Sequence, residues 1–395
     1  MATPLGSDYT GRGMIHASRF LRSCLLGLSL ALAACGSDEK PKPADAGAPD
    51  PGKEPIVGGK LGAAIASAAA QSSATPAKAK SAQGDEPPES GIFAPGEADK
   101  RQPKGAAPKI DVMSDGEGNK VQLAYKLDAG EVKTTISASL RMGQGRLPEI
   151  EFALSIKPEK PKDKADKPKD EKAEAPASTP LVATVTGVSV PAGQGAPKEA
   201  VDEVVKLKGA TIKYDLTAMG AVSNVAIDVP KGAQEGLRPV LEALANAMSL
   251  FTVALPPKPV GVGAYWIASE RAKGDAGLDV LRFRVFKVLK IEGDVVTMTM
   301  DVRQYSADQT VKLQDETGAQ ELTMNAFDSK GSGAVVWKAD QFLAQKGDAQ
   351  QDMAARVTPP GQPPAQPGQR QQGLMLQSQL TAKLGGGTGM TAKKP

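Results

Sequence analysis

Polar and hydrophobic residues alternate along most of the chain between residues 110 and 384. Runs with a period of two occupy residues 134–142, 150–156, 181–190, 281–291 and 296–302, and shorter runs occupy 121–127 and 260–266. A period of two is typical of β-strands that bury one face, and turn sequences such as DAGE at 128–131 separate the runs. The pattern therefore predicts a series of antiparallel hairpins.

One segment has the periodicity of a helix instead. Its apolar residues recur at steps of three and four: Leu237, Val240, Leu241, Leu244, Met248 and Phe251. Such a stripe is typical of an amphipathic helix that covers a sheet. The sequence thus predicts an α+β fold with one long amphipathic helix packed across curved antiparallel sheet. Because strand hairpins occur on both sides of the helix, two duplicated β-halves are an alternative to one sheet.

The N-terminal region indicates export. Arg19 and Arg22 precede an apolar run at 24–34 that is too short to span a membrane but suits a secretory signal. The run ends Leu32-Ala33-Ala34-Cys35, which resembles the lipobox of bacterial lipoproteins. The resemblance implies cleavage before Cys35, a diacylglycerol on its sulfur and an N-terminal acyl chain such as palmitate, so that the chain is anchored to a membrane.

The residue after Cys35 indicates which membrane would carry the anchor. Gly36, and not an aspartate, follows Cys35. By resemblance to the sorting rule of enteric bacteria, this implies the periplasmic face of the outer membrane.

Composition divides the chain into regions. Residues 1–34 form the signal peptide, with Met14 as an alternative start, and residues 35–106 are rich in alanine, proline and charge, as expected of a disordered tether. Residues 107–385 form the predicted α+β domain, and 386–395 form a flexible tail. Lysines and carboxylates nearly balance at 157–179, which predicts a disordered, solvated loop within the domain.

Composition also excludes several chemistries. The only histidine, His16, and the second cysteine, Cys24, both lie in the signal peptide. The mature chain therefore lacks histidine bases, thiolate metal sites and disulfides, and we expect no cofactor, no metal and no catalytic residue of those kinds. A net charge of +3 gives no footprint for nucleic acid, and an aromatic content of 4% argues against stacking platforms for bases or sugars.

The most distinctive internal stretch is LPPKPVGVGAYW at 255–266. Pro259 to Trp266 resembles the Pro-Val-Gly-x-Gly-x-x-Trp strand of an uncharacterised family of envelope lipoproteins from myxobacteria-like genomes, in which a helix precedes this strand. The resemblance extends loosely over residues 91–384 and implies an exported α+β domain. It implies no activity.

Two classes of function follow from the sequence. The first is a non-enzymatic binding or scaffolding module, for which a groove between helix and sheet would bind a lipid or an envelope protein. Its candidate lining is Met248, Phe251, Trp266, Met298 and Met300, which are also natural core residues. The alternatives are a purely structural envelope protein and a hydrolase that uses carboxylates or lysine.

Overall fold

The structure is a computed structural model that describes residues 87–143, 145–159, 178–194, 196–274, 277–315, 318–359 and 373–386. Several predicted segments lie outside the described residues. They are the predicted signal peptide, Cys35, the predicted tether up to residue 86, residues 160–177 of the predicted charged loop and residues 387–395 of the predicted tail. Strands make up 57% and helices 12% of what is described. The predicted α+β class is therefore wrong, and the protein is mostly β.

Among the described residues, sixteen strands and three α-helices follow one another in chain order. The strands are β1 (Lys109–Ser114), β2 (Glu117–Val121), β3 (Val132–Met142), β4 (Gly145–Arg146), β5 (Ile150–Pro158), β6 (Ser178–Ser189), β7 (Thr211–Thr217), β8 (Val222–Asp228), β9 (Val260–Val262), β10 (Tyr265–Lys273), β11 (Asp279–Glu292), β12 (Val295–Ser306), β13 (Thr310–Asp315), β14 (Gly318–Lys338), β15 (Lys346–Thr358) and β16 (Leu374–Gly386). The helices are α1 (Glu97–Arg101), α2 (Lys198–Val205) and α3 (Arg238–Phe251), the last preceded by a 3₁₀ turn at Glu235–Leu237.

Fourteen of these strands form one sheet, and β2 and β9 form a separate pair. The order is β1-β10-β11-β12-β14-β15-β16-β3-β5-β6-β7-β8, with β13 beside β14 and β4 beside β3. The last strand, β16, pairs antiparallel with β3 from Ser378↔Met142 to Gly386↔Thr134. The prediction of two duplicated halves is wrong, because this pairing makes the sheet continuous and β1 joins the far edge beside β10.

The sheet has an inner face, which we define by Trp266, Phe286 and Met298, and an opposite outer face. Strand alternation places Ile136, Phe152 and Ile212 on the inner face as well, and all of them belong to one buried hydrophobic cluster. Side chains from strands near both ends of the sheet thus meet in one core. The sheet must be strongly curved for this to occur.

Helix α3 is enclosed by this curve and does not lie across the sheet. Its 14 residues measure about 21 Å, whereas twelve strands side by side measure about 50 Å. Its buried residues include Ala247 and Leu250 in addition to the predicted stripe, and it contacts β3, β8, β15 and β16. The predicted long amphipathic helix packed across the sheet is therefore wrong, because tertiary enclosure buries more than one stripe.

The folded unit begins earlier than the sequence predicts. Residues 87–106, assigned to the tether, contain α1 and pack on the outer face, where Phe93 is fully buried with Leu281. Backbone hydrogen bonds fix the segment, since Ser306 N–H donates to the carbonyl of Gly91 at 2.8 Å and Phe327 N–H donates to that of Ser90 at 2.8 Å. Both bonds lie where β12 and β14 separate after Gln304↔Ser329.

Two predicted strands differ in the structure. Residues 122–127 are extended without a strand partner, and the N–H groups of Tyr125 and Lys126 donate to the carbonyls of Ala218 and Ala339, which belong to different parts of the fold. The run at 260–266 is divided between β9 and β10 because Gly263 adopts a φ of 79°. The alternation indicates burial correctly at Leu123 and Tyr125, whereas Val262 in the second run is 46% exposed. Hydrogen bonding decides where a strand forms.

Candidate functional site

The five residues predicted to line an apolar groove are all core residues. Met248, Phe251, Trp266, Met298 and Met300 lie in the main hydrophobic cluster and are at most 4% exposed. Trp266 donates its indole N–H to the carbonyl of Ala254 at 2.7 Å, and its ring stacks on Phe286. The structure therefore brings all five residues into the same core. They are packed there as core residues and offer no open surface to a ligand.

The Pro259 to Trp266 motif has a structural explanation. A Cβ atom at Gly261 would lie 2.1 Å from the carbonyl oxygen of Glu117, so only glycine allows β2 to approach β9. Gly263 turns the chain into β10, which places Trp266 in the core. The motif thus shapes a corner of the fold.

A polar groove crosses the outer face of five neighbouring strands. Direct register pairs join β12, β14, β15, β16 and β3 in one row of outer-face residues, namely Arg303, Lys330, Asp352, Gln379 and Arg141. Beside it runs a second row, which contains Asp328, Ala354, Gln377 and Gly143. Tyr305 of β12 lies near Asp328 at the end of this row, beyond the last pair of β12 and β14. Strands are spaced about 4.8 Å apart, so the rows extend for about 19 Å.

Two hollows form this groove, and they share Asp328. The first has a volume of ≈ 380 Å³ and lies between Arg303, Tyr305 and the wall formed by Pro87, Pro88 and Glu89. The second has a volume of ≈ 350 Å³ and lies above Ala354 and Gly143, whose small size creates the depression. The groove is thus an elongated, open surface with charged edges.

Charges of both signs line the groove. Glu89, Asp328 and Asp352 are acidic, while Arg303, Lys330 and Arg141 are basic. Arg303 pairs with Asp328 at 3.5 Å in an exposed ion pair. Arg303 also lies directly opposite Lys330, an arrangement of like charges that is unfavourable in a sheet.

Two amides hold the central carboxylate of the groove. Gln379 donates to Asp352 Oδ1 at 2.7 Å, and Gln350 donates to Oδ2 at 3.2 Å. Arg141 and Lys330 form no ion pair within the part of the chain that the structure describes. Their donors, together with the remaining lone pairs of Asp352, are available to a ligand.

A second polar feature lies inside the fold. Glu270, Arg282 and Arg284 form a buried ion cluster on the inner face, with Glu270 Oε1 at 2.8 Å from Arg282 Nη2 and 2.9 Å from Arg284 Nη2. Arg282 also donates to Ser249 Oγ at 2.7 Å. Arg284 donates to the carbonyl of Thr252 at 2.6 Å, beyond the last residue of α3. The cluster therefore holds the C-terminal end of α3, where a cation is favoured.

The electrostatics of this cluster are those of a structural ion pair. Burial opposes the ionisation of Glu270, but the two guanidinium groups outweigh it and hold the pKa of Glu270 below its usual range. Burial lowers the pKa of Arg284 to about 10, and Glu270 partly offsets this effect. A carboxylate that remains ionised between two arginines is a poor proton donor at neutral pH.

Neighbouring inner-face residues extend the cluster into a polar layer. Ser329 donates to Gln304 Oε1 at 3.2 Å, and Gln351 donates to the same oxygen at 3.3 Å. On β11, β14 and β15, apolar residues of the main core lie to one side of this layer. Residues of a smaller hydrophobic cluster, including Val280, Phe327 and Met353, lie to the other side. The layer therefore divides the interior into two apolar parts.

The other buried carboxylate with arginine contacts, Asp279, lies on the opposite face of the sheet from Glu270. Arg271 Nε donates to Asp279 Oδ1 at 2.7 Å, and Lys104 Nζ lies 2.7 Å from Oδ2. Burial opposes its ionisation, yet these two cations hold its pKa below the usual range. Glu270 and Asp279 therefore do not converge on a common site.

No three or more histidine, cysteine or acidic side chains gather as metal ligands among the described residues. Within the same residues no helix is long and apolar enough to cross a membrane. No family model, curated protein or solved structure matches the chain. The lipobox and the resemblance to myxobacterial envelope lipoproteins accordingly stay predictions.

The sequence did not indicate the groove. Arg141 and Gln379 are direct neighbours in the structure but lie on strands near opposite ends of the domain. Polar residues on a strand's solvent face are ordinary, and only the register joins them into a row. The one sequence feature that corresponds to the hollow is the small size of Ala354 and Gly143, because the other side chains of their row are long.

Proposed function

We propose that the protein is a lipid-anchored lipoprotein of the bacterial cell envelope, and that its β-rich domain is a non-enzymatic binding module. The lipobox at Cys35 supports the anchor. Two or three acyl chains, each buried methylene contributing about 0.8 kcal/mol, would hold the domain on a membrane stably. Gly36, by resemblance to the sorting rule of enteric bacteria, supports the periplasmic face of the outer membrane as its location.

The polar groove is the observation that carries the binding function. It is an open surface about 19 Å long with donors and acceptors free for a partner, whereas the residues predicted to line an apolar groove are buried. The two buried carboxylates described above support a non-enzymatic role, because each is neutralised by cations and they lie on opposite faces. A hydrolase would need an acid and a base that converge on one site.

Substituting each of the two cysteines separately by alanine tests the anchor. In the wild type we expect palmitate incorporation and a mature N-terminal peptide that begins at lipidated Cys35, identified by mass spectrometry. Cys35→Ala should abolish both, because no sulfur remains to receive the diacylglycerol. Cys24→Ala is the matched control and should change neither, since Cys24 lies in the cleaved leader.

Either of two results would refute the anchor. One is a Cys35→Ala variant that still incorporates palmitate, and the other is an exported wild type with a free thiol at position 35. Separation of inner and outer membranes on a sucrose gradient checks the proposed location of the wild type.

A further inference from the structure

We propose that the polar groove binds an uncharged, hydroxyl-rich chain, that is, a glycan. This inference rests on the proposed function as a binding module and names the class of its ligand. Three properties of the groove support a glycan: its balanced charge, its hydrogen-bonding groups and its shallow floor.

The charge balance disfavours charged polymers. Three acidic and three basic side chains line the two hollows, namely Glu89, Asp328, Asp352, Arg141, Arg303 and Lys330. Because these charges cancel, the surface would not concentrate a polyanion such as a nucleic acid or a polycation. An electrically neutral ligand is the best match.

The hydrogen-bonding groups match hydroxyls. A hydroxyl donates one hydrogen bond and accepts two, so a chain of hydroxyls needs donors and acceptors side by side. The row supplies donors from Lys330 and Arg141, an acceptor in Asp352 between them, and both kinds in Gln379. The hydroxyls would also separate Lys330 from Arg303, the like-charged pair that the sheet places opposite each other.

The floor disfavours an apolar peptide. Ala354 and Gly143 form the depression, and neither creates a pocket that could receive a large apolar side chain. Two aromatic residues, Tyr305 and Phe327, line the first hollow. Tyr305 already packs edge-on against Phe283, and Phe327 is only 5% exposed. Recognition would therefore depend on polar contacts along several sugar units and not on aromatic stacking, for which the aromatic content of 4% is low.

Sedimentation with insoluble polysaccharides tests the proposal. The full-length protein in mild detergent is mixed with chitin, cellulose or curdlan, all uncharged, and the bound fraction is measured after centrifugation. We expect retention by at least one of them. Asp352→Ala and Arg141→Ala should each weaken the binding about tenfold, because a hydrogen bond to a charged group is lost.

Matched controls lie on the same strands outside the hollows. Asp348→Ala is the control on β15, and Lys383→Ala is the control on β16, since both side chains lie on the outer face away from the hollows. Neither should change the retained fraction. Circular dichroism of each variant confirms that these surface substitutions leave the fold intact.

Three outcomes would overturn the glycan assignment. They are no retention on any of the three polysaccharides, equal weakening by the groove and control variants, and preferential capture by heparin or by an immobilised library of mixed-charge peptides. Failure of the anchor is distinguishable, because it would appear in the palmitate and mass-spectrometric measurements and would leave the sedimentation result unchanged.

Discussion

Gly91 lies where the segment before β1 packs tightly against the sheet. A Cβ atom there would lie 1.7 Å from the carbonyl oxygen of Phe327, and the φ of Gly91 is 76°. Its own carbonyl accepts from Ser306, so the position cannot shift without losing a hydrogen bond between the segment and β12. One small residue therefore keeps the separated ends of β12 and β14 joined.

We expect Gly91→Ala to lower the free energy of unfolding by about 3 kcal/mol, because the methyl group adds a backbone clash to the cost of a positive φ. Gly96→Ala is the control, since Gly96 has a φ of 74° but no atom within 4 Å of the added Cβ. It should cost about 1 kcal/mol. Urea unfolding measures both, and equal losses would show that the close approach to Phe327 is not limiting.

Among the elements, the hairpins and the position of the helix could be predicted from the sequence. Which distant elements each of them contacts could not. Strands β3, β5 and β6 follow the predicted alternation, because each buries one face. In β11 the apolar alternation at Leu281 and Phe283 marks the outer face, which residues 87–106 cover. The inner face of this part of β11 instead carries Arg282 and Arg284, which pair with Glu270 of β10. The usual placement of apolar residues inside and charged residues outside is therefore reversed here, and this depends on contacts between different elements.

The pairing of β16 with β3 is the element on which the continuity of the sheet depends. Leu380, Ala382 and Leu384 of β16 are buried in the main core, and the strand also completes β15. A chain that ends at residue 373 would expose the facing edges of both strands and remove these side chains from the core. We expect it to be unfolded or aggregated, since unpaired edges promote association.

The control for this truncation is a chain that ends at residue 386. It keeps every described residue of β16, so we expect its thermal midpoint to match that of the full chain. Circular dichroism and gel filtration compare the two. A folded monomer ending at residue 373 would show that the two parts of the sheet are stable separately.

At the scale of the whole molecule, one curved sheet encloses α3 and two apolar clusters divided by a polar layer. The composition did not indicate this layer, because buried arginine and glutamine resemble surface residues in a strand. Its centre, Glu270, is 5% exposed and contacts both Arg282 and Arg284. Removing its charge would leave two buried guanidinium groups without a counter-ion. Because these groups connect β11 to the C-terminal end of α3, the loss would destabilise both the sheet and the helix.

We therefore expect Glu270→Gln to lower the free energy of unfolding by about 3–5 kcal/mol at neutral pH. The folded-state pKa of Glu270 is depressed, so its contribution is present above the usual glutamate pKa of about 4.3 and is lost as pH falls through the lower folded pKa. The difference between wild type and variant should accordingly narrow in acid. Glu292→Gln, at an exposed pair with Lys290, should cost about 0–1 kcal/mol. Urea unfolding across pH measures both variants, and a difference that stays constant into acid would contradict the ionised cluster.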